Sequence, residues 1–128
     1  MPKRVRRAVA KISEHSLQVT LLQFLAINHA PDVFWFAVPN AGRRSWWEVA
    51  QKKKEGMVAG VADLCVMLPE GRVLWLELKV AKNKQTETQL AFQGICGKLG
   101  HPYEIARTLE EAIDSLSAWG ALKKGWKL

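Results

Sequence analysis

A chain of 128 residues is long enough for one domain with a single buried core, and 48% hydrophobic against 24% charged residues excludes global disorder. Nineteen Lys and Arg against twelve Asp and Glu leave a net charge of +7, which favours a polyanionic partner, with plain solubility as the bland reading. Cys65 and Cys96 have no C-x-x-C partner and no apolar run approaches the roughly 20 residues of a bilayer span, so disulfide, zinc and membrane classes drop out and a cytoplasmic location is expected.

Residues 1–12 are a basic arm, placed either to contact phosphates or to fray as a solvated terminus. Ser13 is a natural N-cap for a helix running through Asn28, because Leu17, Leu21, Phe24 and Leu25 recur at the spacing of one helical face. Glu14 lies three residues before Leu17 and borders that inward face, although a first-turn carboxylate is also what the helix dipole favours on a plain surface. The run Val33–Val38 is apolar at every position, which predicts a strand covered on both faces and interior to a sheet, ending at Pro39. Asn40–Arg44 follow as a loop, and Ser45-Trp46-Trp47-Glu48 has the capping-box pattern of a short helix stopped by Gly56. Arg43 and Arg44 beside Trp46 and Trp47, with Lys52, Lys53 and Lys54 following, read either as a phosphate-gripping patch or as solvated surface. Guanidiniums take phosphates bidentately and indoles can stack on exposed bases, whereas tryptophans alone are more often core.

The densest stretch is 60–79. Two strand-like runs, Val61 to Leu68 and Val73 to Val80, flank the turn formers Pro69, Glu70 and Gly71, so a β-hairpin is expected. If those turn residues form the loop, Leu68 pairs with Arg72 and the register sets Asp63 opposite Glu77, with Cβ atoms roughly 5 Å apart. Lys79 shares the face of Glu77 because side chains alternate along a strand. Two carboxylates so placed raise each other's pKa unless a cation lies between them, and oxygen donors suit Mg²⁺ or Mn²⁺. A plain ion pair with Lys79 is the competing reading.

Lys82 and Lys84 lie in a polar link, further basic candidates for DNA contact, leading to the capping box Thr86-Glu87-Thr88-Gln89 of a helix that Gly100 ends. Gln89 and Gln93 share a face of that helix. Pro102–Arg107 reads as a closing strand, Thr108 caps a last helix to about Ala118, and the tail 119–128 carries Trp119 and Trp126 with little else for them to pack against. His15, His29 and His101 show no metal-ligand spacing.

Asp63, Glu77 and Lys79, in the pattern of an Asp followed thirteen residues on by Glu-x-Lys, resemble the core of the PD-(D/E)XK nuclease superfamily. Gly60-Val-Ala-Asp63-Leu, Glu77-Leu-Lys79 and Gln89 resemble its VRR-NUC branch in the standalone phage and bacterial form, over roughly residues 13 to 115, and Asn40, Gly42 and Arg43 look like the loop that precedes the motif. Ala62 departs from the Pro frequent there, which alters loop stiffness and leaves the chemistry intact.

The resemblance implies an α/β restriction-endonuclease-like domain over 13–118, with a small mixed sheet flanked by helices. It implies Mg²⁺ or Mn²⁺ held by Asp63, Glu77, the Leu78 carbonyl and Glu14, with Lys79 and Gln89 completing the catalytic set. The expected activity is endonucleolytic cleavage of branched DNA, Holliday junctions included, by a homodimer in a bacterial or phage-infected cell. The alternatives are a non-catalytic nucleic-acid-binding module and a flap- or end-directed subunit active only with a partner.

Overall fold

The computed structural model describes residues 12–39 and 45–128. In chain order they form α1 (Glu14–Asn28), β1 (Phe34–Ala37), α2 (Trp46–Lys54), β2 (Leu64–Met67), β3 (Val73–Leu78), α3 (Glu87–Leu99), β4 (Tyr103–Ala106) and α4 (Leu109–Ala118). Ser13, Ser45, Thr86 and Thr108 each accept the backbone N–H three residues on, so every one of these helices starts where its capping residue stands. The result is an α/β domain with a mixed sheet in the order β1-β2-β3-β4. The pairs β1–β2 and β2–β3 are antiparallel, while β3 and β4 are parallel because α3 carries the chain back across the sheet.

Side-chain alternation divides the sheet into two faces. Leu64, Val66, Leu74, Leu76, Leu78 and Ala106 join Leu17, Leu21 and Leu25 of α1 and Ala112 and Leu116 of α4 in one core. Each buried leucine there contributes about 2 kcal/mol. On the other face α3 sets Phe92 edge-on to Trp75, with centroids 5.3 Å apart, and 6.1 Å from the ring of Tyr103. Cys65 and Cys96 are buried and unpaired, and burial pushes both thiols up.

Two expectations are corrected. The Val33–Val38 segment is not interior: β1 is the edge strand, and Phe34 and Phe36 stand 63% and 42% exposed. Trp35 does reach the core, but the aromatic rows on the opposite face lie beyond the strands that α3 covers, so a run apolar throughout ends up wet on one side. The tail is also not loose. Gly120, at φ +79°, turns the chain so that Ala30 N–H bonds the Ala121 carbonyl and Lys123 N–H bonds the Asn28 carbonyl, both at 2.8 Å. Trp126 stands edge-on to Phe24 at 5.9 Å, and Trp119 Nε1 donates to Glu104 at 3.2 Å.

Candidate active site

The hairpin turn is the expected one. Leu68 N–H bonds the Arg72 carbonyl at 2.8 Å across Pro69, Glu70 and Gly71, and the ladder continues to Leu64 opposite Leu76. The next hydrogen-bonded rung would join Ala62 to Leu78, and there the ladder stops. Asp63 Oδ2 instead accepts the Leu78 N–H at 2.7 Å, so a side chain replaces the missing main-chain partner. Within a strand the N–H and C=O of one residue point to the same edge, which aims the Leu78 carbonyl toward Asp63 as well. The Asp63 carbonyl accepts Val38 N–H at 2.8 Å, so this residue is gripped by β3 through its side chain and by the end of β1 through its backbone.

Extending the same register by one residue places Glu77 opposite Asp63 on the face away from the leucine core. Glu77 is 1% exposed, and neither of its carboxylate oxygens has a hydrogen-bond partner. Lys79, 6% exposed, brings Nζ to 3.9 Å from Glu77 Oε2, which is ion-pair range and beyond a hydrogen bond. Burial first and the Asp63 charge second push Glu77 up to about 8, with Lys79 only partly offsetting them. Asp63 is raised as well, by burial first, with the Leu78 N–H pulling the other way and Glu14 adding to the rise. Two acceptors that face each other in a dry pocket can share only a proton or a cation.

This donor set fits a hard divalent ion: two carboxylates, one of which, Glu77, has both oxygens buried and without a partner, and an adjacent main-chain carbonyl. Among the described residues no three His, Cys, Asp or Glu side chains are grouped to hold a metal. Asn83 Nδ2 donates to Glu14 Oε2 at 3.1 Å, and the Glu14 charge is near enough to push both Asp63 and Glu77 up, adding to burial.

Comparison with known proteins agrees with this arrangement at the level of fold. No protein-family model and no curated protein matches the chain. A solved structure named as a VRR_NUC domain protein is similar to it with a TM-score of 0.68, at 17% identity, covering 84% of this chain and 88% of its own. The chain has the fold of a VRR_NUC domain. A second solved structure, named VRR_NUC domain, is similar at a TM-score of 0.54 and 20% identity, over 82% of this chain and 94% of its own.

On this VRR_NUC fold the motif residues fall at one end of the sheet. Gly60 reaches φ +87°, and a Cβ there would lie 2.3 Å from the carbonyl carbon and oxygen of Thr88 and 2.7 Å from Gln89 N. Only glycine lets the loop before Asp63 seat against the first turn of α3, and that contact brings the two distant motifs together. Gln89 spends its carbonyl oxygen on the Thr86 N–H, 2.9 Å away, completing a full capping box. Of the basic candidates, Lys53, Lys54, Lys82 and Lys84 are exposed, and Lys52 is drawn to Glu55 at 3.2 Å. Arg43, Arg44, Asn40 and Gly42 lie outside the described residues, as does the arm through residue 11.

Sequence reasoning missed a supporting layer. Gln85, read only as part of a polar link, donates to Gln93 Oε1 at 3.0 Å and to the Tyr103 hydroxyl at 3.1 Å. That hydroxyl is pushed up to about 12 by burial and then by the nearby Glu77 charge. Arg107 donates to the carbonyls of Ala81 and Asn83 at 3.2 and 2.8 Å, fixing the turn from which Asn83 reaches Glu14. A lone Gln, Asn or Arg in a link carries no periodic or motif signal, so nothing in the sequence marks these contacts.

Proposed function

We propose that the chain is a divalent-metal-dependent endodeoxyribonuclease that hydrolyses phosphodiester bonds in branched DNA, Holliday junctions among them, and works as a homodimer. The observation that carries this reading is the desolvated Asp63–Glu77 pair, with both Glu77 oxygens unpartnered and Lys79 beside them, on a VRR_NUC fold. Asp63, Glu77 and the Leu78 carbonyl would hold Mg²⁺ or Mn²⁺, which when bound supplies a Lewis acid and a more acidic water. The Leu78 N–H fixes Asp63 Oδ2 and so sets the direction of its other oxygen. Lys79 Nζ, held dry, favours negative charge arriving near Glu77 and stabilises the charge that develops on a phosphate. Glu14, bonded by Asn83, and Gln89, which caps the helix seated on Gly60, would complete the catalytic rim of the pocket. Lys53, Lys54, Lys82 and Lys84, with Lys52, Arg43 and Arg44, would grip backbone phosphates.

Nicking of supercoiled plasmid in Mg²⁺, in Mn²⁺ and in chelator tests the reading, with Asp63→Ala as the control. Absence of metal-dependent nicking by the parent chain would sink it in favour of a non-catalytic binding module. A second reading, a monomeric flap- or end-directed nuclease, draws on the tail: Trp119 and Trp126 each have a partner inside the fold, so they are not left over from the core for an interface. A two-fold dimer would place two copies of the site for paired cuts, whereas a monomer would nick one strand. Sedimentation of the free protein together with a panel of junction, flap and linear duplexes separates these readings.

A further inference from the structure

α2 departs from what a helix in a small domain normally does. It buries none of its residues, and Trp46 and Trp47 stand 82% and 61% exposed. Nine residues are too few to hold a helix in water by propensity alone, and the usual remedy, an apolar face packed on the core, is absent here. The other tryptophans are all spoken for: Trp35 lies against His29, Trp75 against Phe92, Trp126 against Phe24, and Trp119 bonds Glu104.

The segment that carries α2 is anchored at its two ends. Val38 N–H bonds the Asp63 carbonyl at 2.8 Å, so the excursion that contains α2 leaves and re-enters the sheet at Asp63 itself. Its return passes Gly60, which is seated on the first turn of α3. α2 ends in Lys52, Lys53 and Lys54, so large flat apolar groups adjoin positive charge on one solvent-facing element. An apolar protein partner would match the tryptophans and not the lysines. A nucleic acid matches both, and in duplex DNA the flat faces of the bases are covered by their neighbours, so the match requires a base out of the stack.

We infer that Trp46 and Trp47 form a stacking platform for an unpaired base, making α2 the element that recognises a branch point. The inference rests on the nuclease reading above and adds to it the feature of DNA that is recognised. Binding is measured in chelator, without cleavage, by anisotropy on a linear duplex and on the same duplex ending in splayed single strands, with 2-aminopurine at the fork. Trp46→Ala plus Trp47→Ala should weaken splayed-DNA binding on the order of tenfold per stacked base lost and change duplex affinity by less than about twofold. It should also abolish quenching of the 2-aminopurine. Trp46→Phe plus Trp47→Phe, which keeps a stacking surface, should restore most of both signals. Equal weakening on the two DNAs, or no change on either, overturns the platform while leaving the nuclease reading intact. Loss of self-association in the Ala variant with equal weakening assigns the indoles to a second copy of the chain and overturns it too. If the parent binds neither DNA, the nuclease reading itself fails.

Discussion

The β2–β3 hairpin and α2 break the usual distribution of side chains in opposite senses. The hairpin carries Glu77 and Lys79 into the interior, at 1% and 6% exposure, while α2 holds two tryptophans out in water. Ionisable groups are seldom buried and large aromatics are seldom left wet, since each arrangement forgoes a few kcal/mol. The first departure concentrates charge where water is excluded and suits chemistry on a charged group. The second offers apolar surface to something not yet bound. Such departures from consistency are where function is expected.

The largest effect should come from making the hairpin ordinary. Glu77→Gln removes one of two repelling carboxylates, so nicking should fall by roughly a thousandfold or more while stability rises by about 1 kcal/mol. Plasmid nicking and thermal melting of the same preparation check both halves, and a variant that is less stable as well as inactive would mean the pair is a structural feature. Gly60 joins the two regions. Gly60→Ala should destabilise by roughly 2–4 kcal/mol, since its Cβ would strike the Thr88 main chain and its φ of +87° is strained for alanine. Denaturant unfolding reads this, and a loss under 0.5 kcal/mol, about the cost of an ordinary surface change, would show that the loop does not need to seat on α3.

Acidity discriminates the regions without mutation. Glu77 has its folded-state pKa raised from 4.5 to about 8, so the folded chain binds more protons than the unfolded chain between those values. The sign then gives stability retained below pH 4.5 and lost as pH rises through about 8. Mn²⁺ should restore most of that loss at the alkaline end, and Glu77→Gln should flatten the dependence. Melting curves across the range test it, a flat profile in the parent being the contrary result. The smallest effect sharpens the outer region: Arg43→Ala plus Arg44→Ala should weaken DNA binding without ending nicking and reduce the slope of log affinity against log salt by about 2. Titrations at several salt concentrations give that slope.

How much of this was legible depends on whether a signal is local. The hairpin register was readable because a three-residue turn and strand alternation fix it, and both follow from neighbouring residues. The helix starts were readable from Ser13, Ser45, Thr86 and Thr108 because a cap acts within one turn. β1 was misread since an apolar run states what its residues prefer and not whether the fold has enough cover for them: Phe34 and Phe36 lie past the reach of α3. The tail was misread for the converse reason, because Phe24, which receives Trp126, is distant in the chain, and Glu104, which receives Trp119, is joined to it by a helix with no turn to set a register. In the site, Asp63, Glu77 and Lys79 could be found from spacing, while Gln85, Asn83 and Arg107 act through contacts that no spacing encodes.

The seating of Gly60 on α3 also bears on the order in which the molecule assembles. The hairpin closes a short loop, so Asp63 and Glu77 can meet while water still surrounds them and their repulsion is weak. The docking of α3 against Gly60 and the parallel pairing of β3 with β4 require contacts between distant residues and belong later in folding. The carboxylates lose their water only as α3 arrives, so the electrostatic strain of the site is expected late in folding. Raising the pH from 4.5 to about 8 should therefore quicken unfolding far more than it slows refolding, a difference that the two arms of a metal-free chevron would display directly, and a change confined to the refolding arm would place the strain before the barrier.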